Sequence, residues 1–307
     1  MTPVRVRPFH RADRDQLTAL VNAHAQAVVP GVVVSVNTVL SQLEAEPGEF
    51  IVDPWVDQRA TLVAEQRGRV VAAAHLLRYR GDGDVGDSYR DVGEIRWLLY
   101  WPPAPFWPDT EAAGDALATA AVTWLQATGA RRLYADGTLP TPGVYGLPEQ
   151  WPHVHAVLRR AGFTPGEHAE LVLLADVSAL PRPPSPLAGL SVARTLGVNG
   201  TRFTALLDGR AVGYLEVQQR GDAGRLVAQH RLADIGNLHV DPAHRRRGIA
   251  GWLLGQAADW LHLGHVDRLL DYCSPDDRGY RAFLRQAGFH PLAHTTRGWE
   301  LPITTAS

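Results

Sequence analysis

Hydrophobic and polar positions along the chain change period repeatedly, from about two residues to about 3.6 and back, across its 307 residues. Val4 to Pro8 alternates apolar and basic positions and predicts a first strand. Ala12 to Val28 places apolar residues at Leu17, Leu20, Val21 and Ala25, a helical spacing closed by Pro30-Gly31. Val36 to Leu43 predicts a second, short helix with Asn37 as N-cap, ended by Pro47-Gly48. Thr61 to Gln66, Arg67-Gly68 and Val70 to Tyr79 read as strand, turn and strand, followed by a Gly/Asp loop from Gly81 to Asp87. Glu94 to Tyr100 is a further strand ending at Trp101-Pro102, and Ala112 to Gln126 is an alanine-rich helix. Arg132 to Ala135 returns as strand, Trp151 to Ala161 as helix closed by Gly162-Phe163, and Glu170 to Asp176 as strand. Pro181, Pro183, Pro184 and Pro186 then stiffen a linker.

Beyond the linker the pattern starts again. Leu190 to Arg194 is a strand, and Phe203 to Leu207, Asp208-Gly209 and Ala211 to Gln218 form a hairpin. Asp234 to Val240 is a strand broken by Asp241-Pro242, and Gly248 to Leu263 is a helix. Strand Arg268 to Tyr272, helix Arg278 to Ala287 and a last strand from about Thr295 to Leu301 complete the chain. The halves echo one another: Ala156-Val-Leu-Arg-Arg-Ala-Gly-Phe163 matches Ala282-Phe-Leu-Arg-Gln-Ala-Gly-Phe289. Trp124-Leu125 with Leu133 matches Trp260-Leu261 with Leu269, and Pro102 answers Pro242. Such agreement at equivalent points argues for duplication. The reading is an α/β (α+β) chain with domains at 1–180 and 188–307 joined by the proline-rich linker 181–187.

The turn after Val240 concentrates the chemistry. A helix N-terminus leaves backbone N–H groups unpaired and carries partial positive charge, so it favours an anion. Gly248, Ala250 and Gly251 leave room for a phosphate to reach the main chain, while Arg245, Arg246 and Arg247 supply full charges. The corresponding stretch of the first half, Pro103 to Glu111, has no arginine and no glycine pair, and Asp109 and Glu111 would repel a pyrophosphate.

Arg245-x-x-Gly248-x-Ala250 behind Leu238-His239-Val240-Asp241-Pro242 resembles the acyl-CoA pyrophosphate loop of the Gcn5-related N-acetyltransferase (GNAT) superfamily. The resemblance implies two tandem acyl-CoA N-acyltransferase folds, each a mixed, mostly antiparallel sheet flanked by helices, the N-terminal copy having lost its cofactor loop. It implies that the Leu238, His239 and Val240 backbone pairs with pantetheine and that Arg245, Arg246, Arg247, Gly248, Ile249, Ala250 and Gly251 hold the pyrophosphate. The expected reaction moves an acetyl group from acetyl-CoA, a cosubstrate, to a primary amine by direct attack in the C-terminal domain. The alternative is a non-catalytic acyl-CoA sensor or a structural pseudoenzyme.

Three residues compete for the base that takes the amine proton. Asp234 occupies the place where the resemblance puts a glutamate base. Glu216 faces the cleft or solvent according to strand register. His239 suits neutral pH but lies in the run expected to pair with pantetheine. For the acid that protonates the thiolate, the family's tyrosine position is Leu284, and Tyr280 lies one helical turn earlier. From Arg194 to Phe203 there is no room for the two helices that, by the resemblance, wall the acceptor site.

The remaining composition narrows the class. The net charge of -2, with every one of the 30 basic residues an arginine, gives no global attraction to nucleic acid. The lone Cys273 excludes an intramolecular disulfide framework and reads as a core residue. His153 with His155 and His262 with His265 lack helical zinc-site spacing, so no metal is expected. No signal pattern or long apolar run occurs, which predicts a cytoplasmic protein, monomer or homodimer, with a small-molecule or peptide amine acceptor and neither nucleic-acid nor membrane partner. Asp234, Glu216 and Asp271 near the presumed cleft would suit a cationic amine.

Overall fold

The sequence folds into two units whose boundaries follow strand pairing more closely than chain order. A computed structural model describes residues 3–45, 53–104, 109–220 and 232–302. One unit comprises Met1–Ala169 with His294–Ser307, and the other Glu170–Ala293. Pro47-Gly48 and residues 105–108 of the first-half turn lie outside the described residues.

The first unit contains β1 (Arg5–Pro8), α1 (Arg14–Val28), α2 (Val36–Glu44), β2 (Val56–Gln66), β3 (Arg69–Tyr79), β4 (Val92–Tyr100), α3 (Thr110–Ala127), β5 (Arg132–Ala135), the two-residue β6 (Leu147–Pro148) and α4 (Pro152–Arg160). Its sheet runs β1-β2-β3-β4-β5 and is closed by β14 (Trp299–Leu301), the last strand of the chain. β4 and β5 are parallel and the others antiparallel. The cap of α2 is Ser35, not Asn37: Ser35 is extended and its hydroxyl accepts from the Thr38 amide at 3.1 Å, so Asn37 falls inside the helix.

The second unit begins in β7 (His168–Asp176) and continues through β8 (Leu190–Gly197), β9 (Gly200–Leu207), β10 (Arg210–Arg220), β11 (Leu232–Val240), α5 (Ile249–Leu263), β12 (Arg268–Cys273), α6 (Arg278–Gln286) and β13 (His290–Arg297). Its sheet order is β13-β7-β12-β11-β10-β9-β8, with β11 and β12 parallel. The apolar faces of α5 and α6 meet the sheet in one core that includes Leu215, Val217, Ala233, Ile235, Leu253, Leu269 and Leu284. β8 passes to β9 through a two-residue turn, Val198-Asn199, so the unit has no helices there.

Two features depart from the sequence reading. A contiguous division at 181–187 leaves β7 in the first domain and the final strand in the second, whereas β7 pairs along all of β12 and β14 pairs with β5. Each repeat therefore gives its last strand to the sheet of the other. The proline segment is likewise not a free spacer: Arg182 bonds Asp259 of α5 at 3.1 Å, and Pro181 and Pro183 lie against Gly255. The single strand expected at 295–301 is two, β13 and β14, separated at Gly298, whose φ is +67°. β13 opens with His290-Pro291, which carries no alternation to reveal it.

The duplication is visible at the level of hydrogen bonds. Phe163 N donates to Leu158 O at 3.0 Å and Phe289 N to Leu284 O at 3.0 Å, the same closure of α4 and α6. Each unit also carries a bulge in the strand that starts its parallel pair. β3 and β4 lose register between His75↔Trp97 and Leu76↔Ile95, which leaves Arg96 extra. β10 and β11 lose it between Glu216↔Asn237 and Val217↔Ile235, which leaves Gly236 extra. Glu94 and Asp234 thus occupy the same place, two residues before the bulge.

Candidate active site

In the second unit the parallel ladder of β11 and β12 lasts only from Leu232↔Arg268 to Asp234↔Leu270, although both strands run on. Past Asp234 the strands part, and the backbone of β11 from Gly236 to Val240 borders a fork. Gly236 and Asn237 are exposed and Leu238, His239 and Val240 half-buried. The equivalent positions of the first unit, Arg96, Trp97, Leu98, Leu99 and Tyr100, are all buried. There Arg96, 4 % exposed, bonds Glu94 at 3.2 Å and reaches Asp136, just past β5, at 3.5 Å, which ties the strands together. The Tyr79 hydroxyl donates to Glu94, and the Tyr100 hydroxyl donates to His153 O of α4 at 2.9 Å. In the first unit these positions are buried, with an ion pair and large aromatic side chains among them, whereas in the second a glycine stands at the bulge and the positions are exposed or half-buried.

The bulge also resets which residues share a face. Ala233 and Ile235 point into the core under α5, so Asp234 points to the opposite face. Beyond Gly236 the parity inverts: Leu238 and Val240 pack on the core, and Asn237 and His239 stand opposite Glu216 and Tyr214. Asp234, Asn237 and His239 therefore lie on one polar face although their spacing is not that of a regular strand. Asp234 is 5 % exposed. His239 lies 3.3 Å from Asp241 and tilts against Tyr214, whose hydroxyl accepts from Asn237 at 2.9 Å.

Glu216 has a different task from that of a base. Its carboxylate accepts from Arg202 Nε at 2.6 Å and from the Val198 and Asn199 amides at 3.3 and 3.2 Å, and it is 1 % exposed. These contacts hold the β8–β9 turn down on the sheet, with Asn199 against Gly236 so closely that a Cβ there would lie 2.4 Å from it. A carboxylate so occupied is a structural clamp.

The segment expected to cradle an anion is a turn and a helix start. After a 3-10 turn at Pro242–His244, Gly248 precedes α5 with φ +82°, a left-handed conformation that glycine adopts without strain, and no side chain caps the helix. The first amides of α5 are thus left for a ligand or solvent. Arg245, Arg246 and Arg247 are exposed, with Arg245 Nε donating to Val240 O at 2.9 Å. A Cβ at Gly251 would meet nothing within 4 Å, so the first turn of α5 presents open space.

On the core side of the fork, Tyr280 of α6 donates its hydroxyl to Asp271 Oδ2 at 2.6 Å, while Leu284, one helical turn on, is sealed in the core. Asp271 is 3 % exposed, and burial pushes its carboxyl up to about 7. Burial, with Asp271 adjoining, pushes the Tyr280 phenol well above its ordinary value. Burial and the same carboxyl push Cys273 up to about 11, a buried thiol unsuited to attack. The Asp271–Tyr280 pair escapes sequence inspection, because nine residues and a strand-to-helix turn separate its members. Among the described residues no group of three or more His, Cys, Asp or Glu is placed to hold a metal ion, and no helix is long and apolar enough to cross a membrane.

Residues 177–289 match the acetyltransferase (GNAT) family model. The solved structure of a tandem GNAT protein from the clavulanic acid biosynthesis pathway is similar over 99 % of this chain and 100 % of its own, at 17 % identity and a TM-score of 0.69. A GCN5-related N-acetyltransferase from Sphaerobacter thermophilus is similar over 100 % of this chain and 99 % of its own, at 15 % identity and a TM-score of 0.64. No curated protein sequence matches the chain. The second unit thus carries a domain of the acetyltransferase (GNAT) family, in a chain with the tandem GNAT fold from end to end.

Proposed function

We propose that the protein is an acyl-CoA-dependent N-acyltransferase working at the fork of its second unit, with acetyl-CoA as donor and a primary amine as acceptor. The observation that carries this reading is the contrast within one chain: the five strand positions from the bulge onward are buried in the first unit and exposed or half-buried in the second. The donor's pantetheine amides pair with the backbone of Leu238 to Val240. The amides of Ile249 to Gly251 and the charges of Arg245 to Arg247 hold its pyrophosphate.

The acceptor enters over the polar face. Asp234 is the base for its proton, directly or through one water, and the β11 amides past the bulge face the charge that develops on the carbonyl oxygen. The clamped Val198-Asn199 turn stands in place of acceptor helices, and a carboxylate on this face suits a cationic amine.

Titration of acetyl-CoA into the intact protein, followed by thiol release across a panel of small amines and peptide N-termini, tests the reading. One equivalent bound with amine-dependent thiol release supports it, and no binding refutes it. The sealed Leu284 favours a second reading, a sensor that binds acyl-CoA without transfer; tight binding with no release on any amine would select that one.

A further inference from the structure

Asp271 is the first residue of β12 beyond its ladder with β11, so its carboxyl sits where the fork begins. It points to the core face, in phase with Leu269 and Cys273, and away from the face that carries Asp234. Tyr280 reaches it from the first turn of α6, a helix fixed by the Asp277 side chain accepting from Tyr280 N at 2.9 Å. The Asp271 Oδ1 accepts from the Tyr272 amide at 2.7 Å and its Oδ2 from the phenol, so a carboxyl with little water access is held with one oxygen committed to Tyr280. Resting on the acyltransferase reading above, we propose that Asp271 is the positioning residue that loads and aims Tyr280 as the proton donor to the leaving thiolate.

The 2.6 Å contact serves two protonation states. With Asp271 ionised, the Tyr280 O–H donates to it and points away from the fork. With Asp271 protonated, the carboxyl O–H donates to the phenol oxygen, and the Tyr280 proton is released to point at the sulfur. Attack by the amine forms a C–N bond and breaks C–S, and the electron pair stays on sulfur. Tyr280 gives its proton to that sulfur and takes the proton of Asp271. The carboxylate so formed is reloaded with the proton that the amine nitrogen gives up, by way of solvent, and no other reactant is consumed.

The charged and titratable groups around the pair fit this role. Cys273 lies on the same strand, Asp234 on β11, Glu170 on β7, Asp277 at the N-cap of α6 and Arg281 on α6. Burial opposes ionisation of Asp271 most, and Asp234 and Glu170 add to it, while the Tyr280 hydroxyl and the Tyr272 amide, which donates to Oδ1 at 2.7 Å, favour the charged form; burial outweighs them, and the loaded state is populated around neutral pH. Neither partner is the tyrosine of the family motif, whose place is taken by Leu284.

The test uses the full-length protein. The 13C resonance of the Asp271 carboxyl is followed against pH with and without coenzyme A. The expected midpoint is near 7, and it rises in Tyr280→Phe because a hydrogen bond to the charged form has been removed. A midpoint below 5, or one indifferent to Tyr280→Phe while coenzyme A still binds, overturns the proposal; loss of coenzyme A binding by the wild type overturns the acyltransferase reading instead. In turnover with an accepted amine, kcat of the wild type falls as pH rises through 7. Asp271→Asn, whose amide donates to the phenol at every pH, loses that limb with its KM for acetyl-CoA unchanged. Tyr280→Phe lowers kcat at least tenfold and the double variant no further. Retention of the limb in Asp271→Asn is the result that removes Asp271 from the proton path.

Discussion

Gly251→Glu separates the anion cradle from the stability of the helix that forms it. A Cβ at Gly251 would meet no atom within 4 Å, so a side chain can start there without a backbone shift. Replacing glycine in a helix by glutamate improves propensity by roughly 0.5 kcal/mol, and a carboxylate in the first turn adds about 0.3–1 kcal/mol through the helix dipole. The variant is therefore expected to be about 1 kcal/mol more stable, a rise of roughly 2–4 °C in melting temperature. At a separation of ~5 Å from each of two phosphate charges, the same carboxylate would meet a repulsion of about 3 kcal/mol per charge at an effective dielectric constant of ~20. Physiological salt and solvent access reduce this by about half, leaving roughly 3 kcal/mol in all. Affinity for acetyl-CoA should fall by about two orders of magnitude in calorimetric titration. Gly251→Ala is the control, with the gain in stability and unchanged affinity. A Gly251→Glu protein that binds acetyl-CoA as the wild type does would refute the placement of the pyrophosphate at this helix. Gly248→Glu is a poorer probe, because φ there is +82° and Pro186 stands 3.1 Å from where the new Cβ would be.

Three further outcomes follow from other parts of the molecule. Burial pushes His24 down to about 4 and His75 down to about 3, so between those values and an unfolded value near 6.5 the unfolded chain binds more protons. Stability of the first unit should be full above pH 6.5 and fall as the pH drops toward 4, on the order of 3 kcal/mol from His24 alone. Urea midpoints at pH 7 and pH 5, read by tryptophan fluorescence, should differ accordingly, and identical midpoints would contradict the burial argument. Glu216→Ala should lower stability by about 2–4 kcal/mol by stranding Arg202 and two turn amides, with acetyl-CoA affinity little changed; undiminished stability with loss of turnover would return Glu216 to the role of base. A fragment of residues 188–307 lacks β7 and leaves all of β12 unpaired on that side, so its amide spectrum should be collapsed; full native dispersion would show that the exchanged strand is dispensable.

Most elements were legible in the sequence because each carries its own signal. Apolar spacing placed α1, α3, α5 and α6, turn dipeptides placed the hairpins, and Asp241-Pro242 with Gly248 marked the break between β11 and α5. The contrast between the arginine-rich turn of the second half and the proline-rich one of the first was also in the residues themselves. What local patterns do not encode is partnership at long range. β6 is two residues long, and β7 and β14 look alike whether they close their own repeat or the other, since a strand's alternation specifies a face and not a neighbour.

The amino-acid sequence by itself determined that the chain is a duplicated α/β protein, and where an arginine-flanked, uncapped helix start lies. The tertiary structure alone decided which carboxylates are available for chemistry. One extra residue at Gly236 inverts the parity of β11 and brings Asp234 and His239 to one face, a change no regular alternation contains. Cross-strand pairing turns Glu216 into a clamp for the β8–β9 turn, and helix packing brings Tyr280 onto Asp271 at 2.6 Å. The equivalent fork of the first unit is closed by Arg96 between Glu94 and Asp136. In each case the physical reason is the same: a buried charge takes its role from the partners that satisfy it, and those partners come from distant parts of the chain.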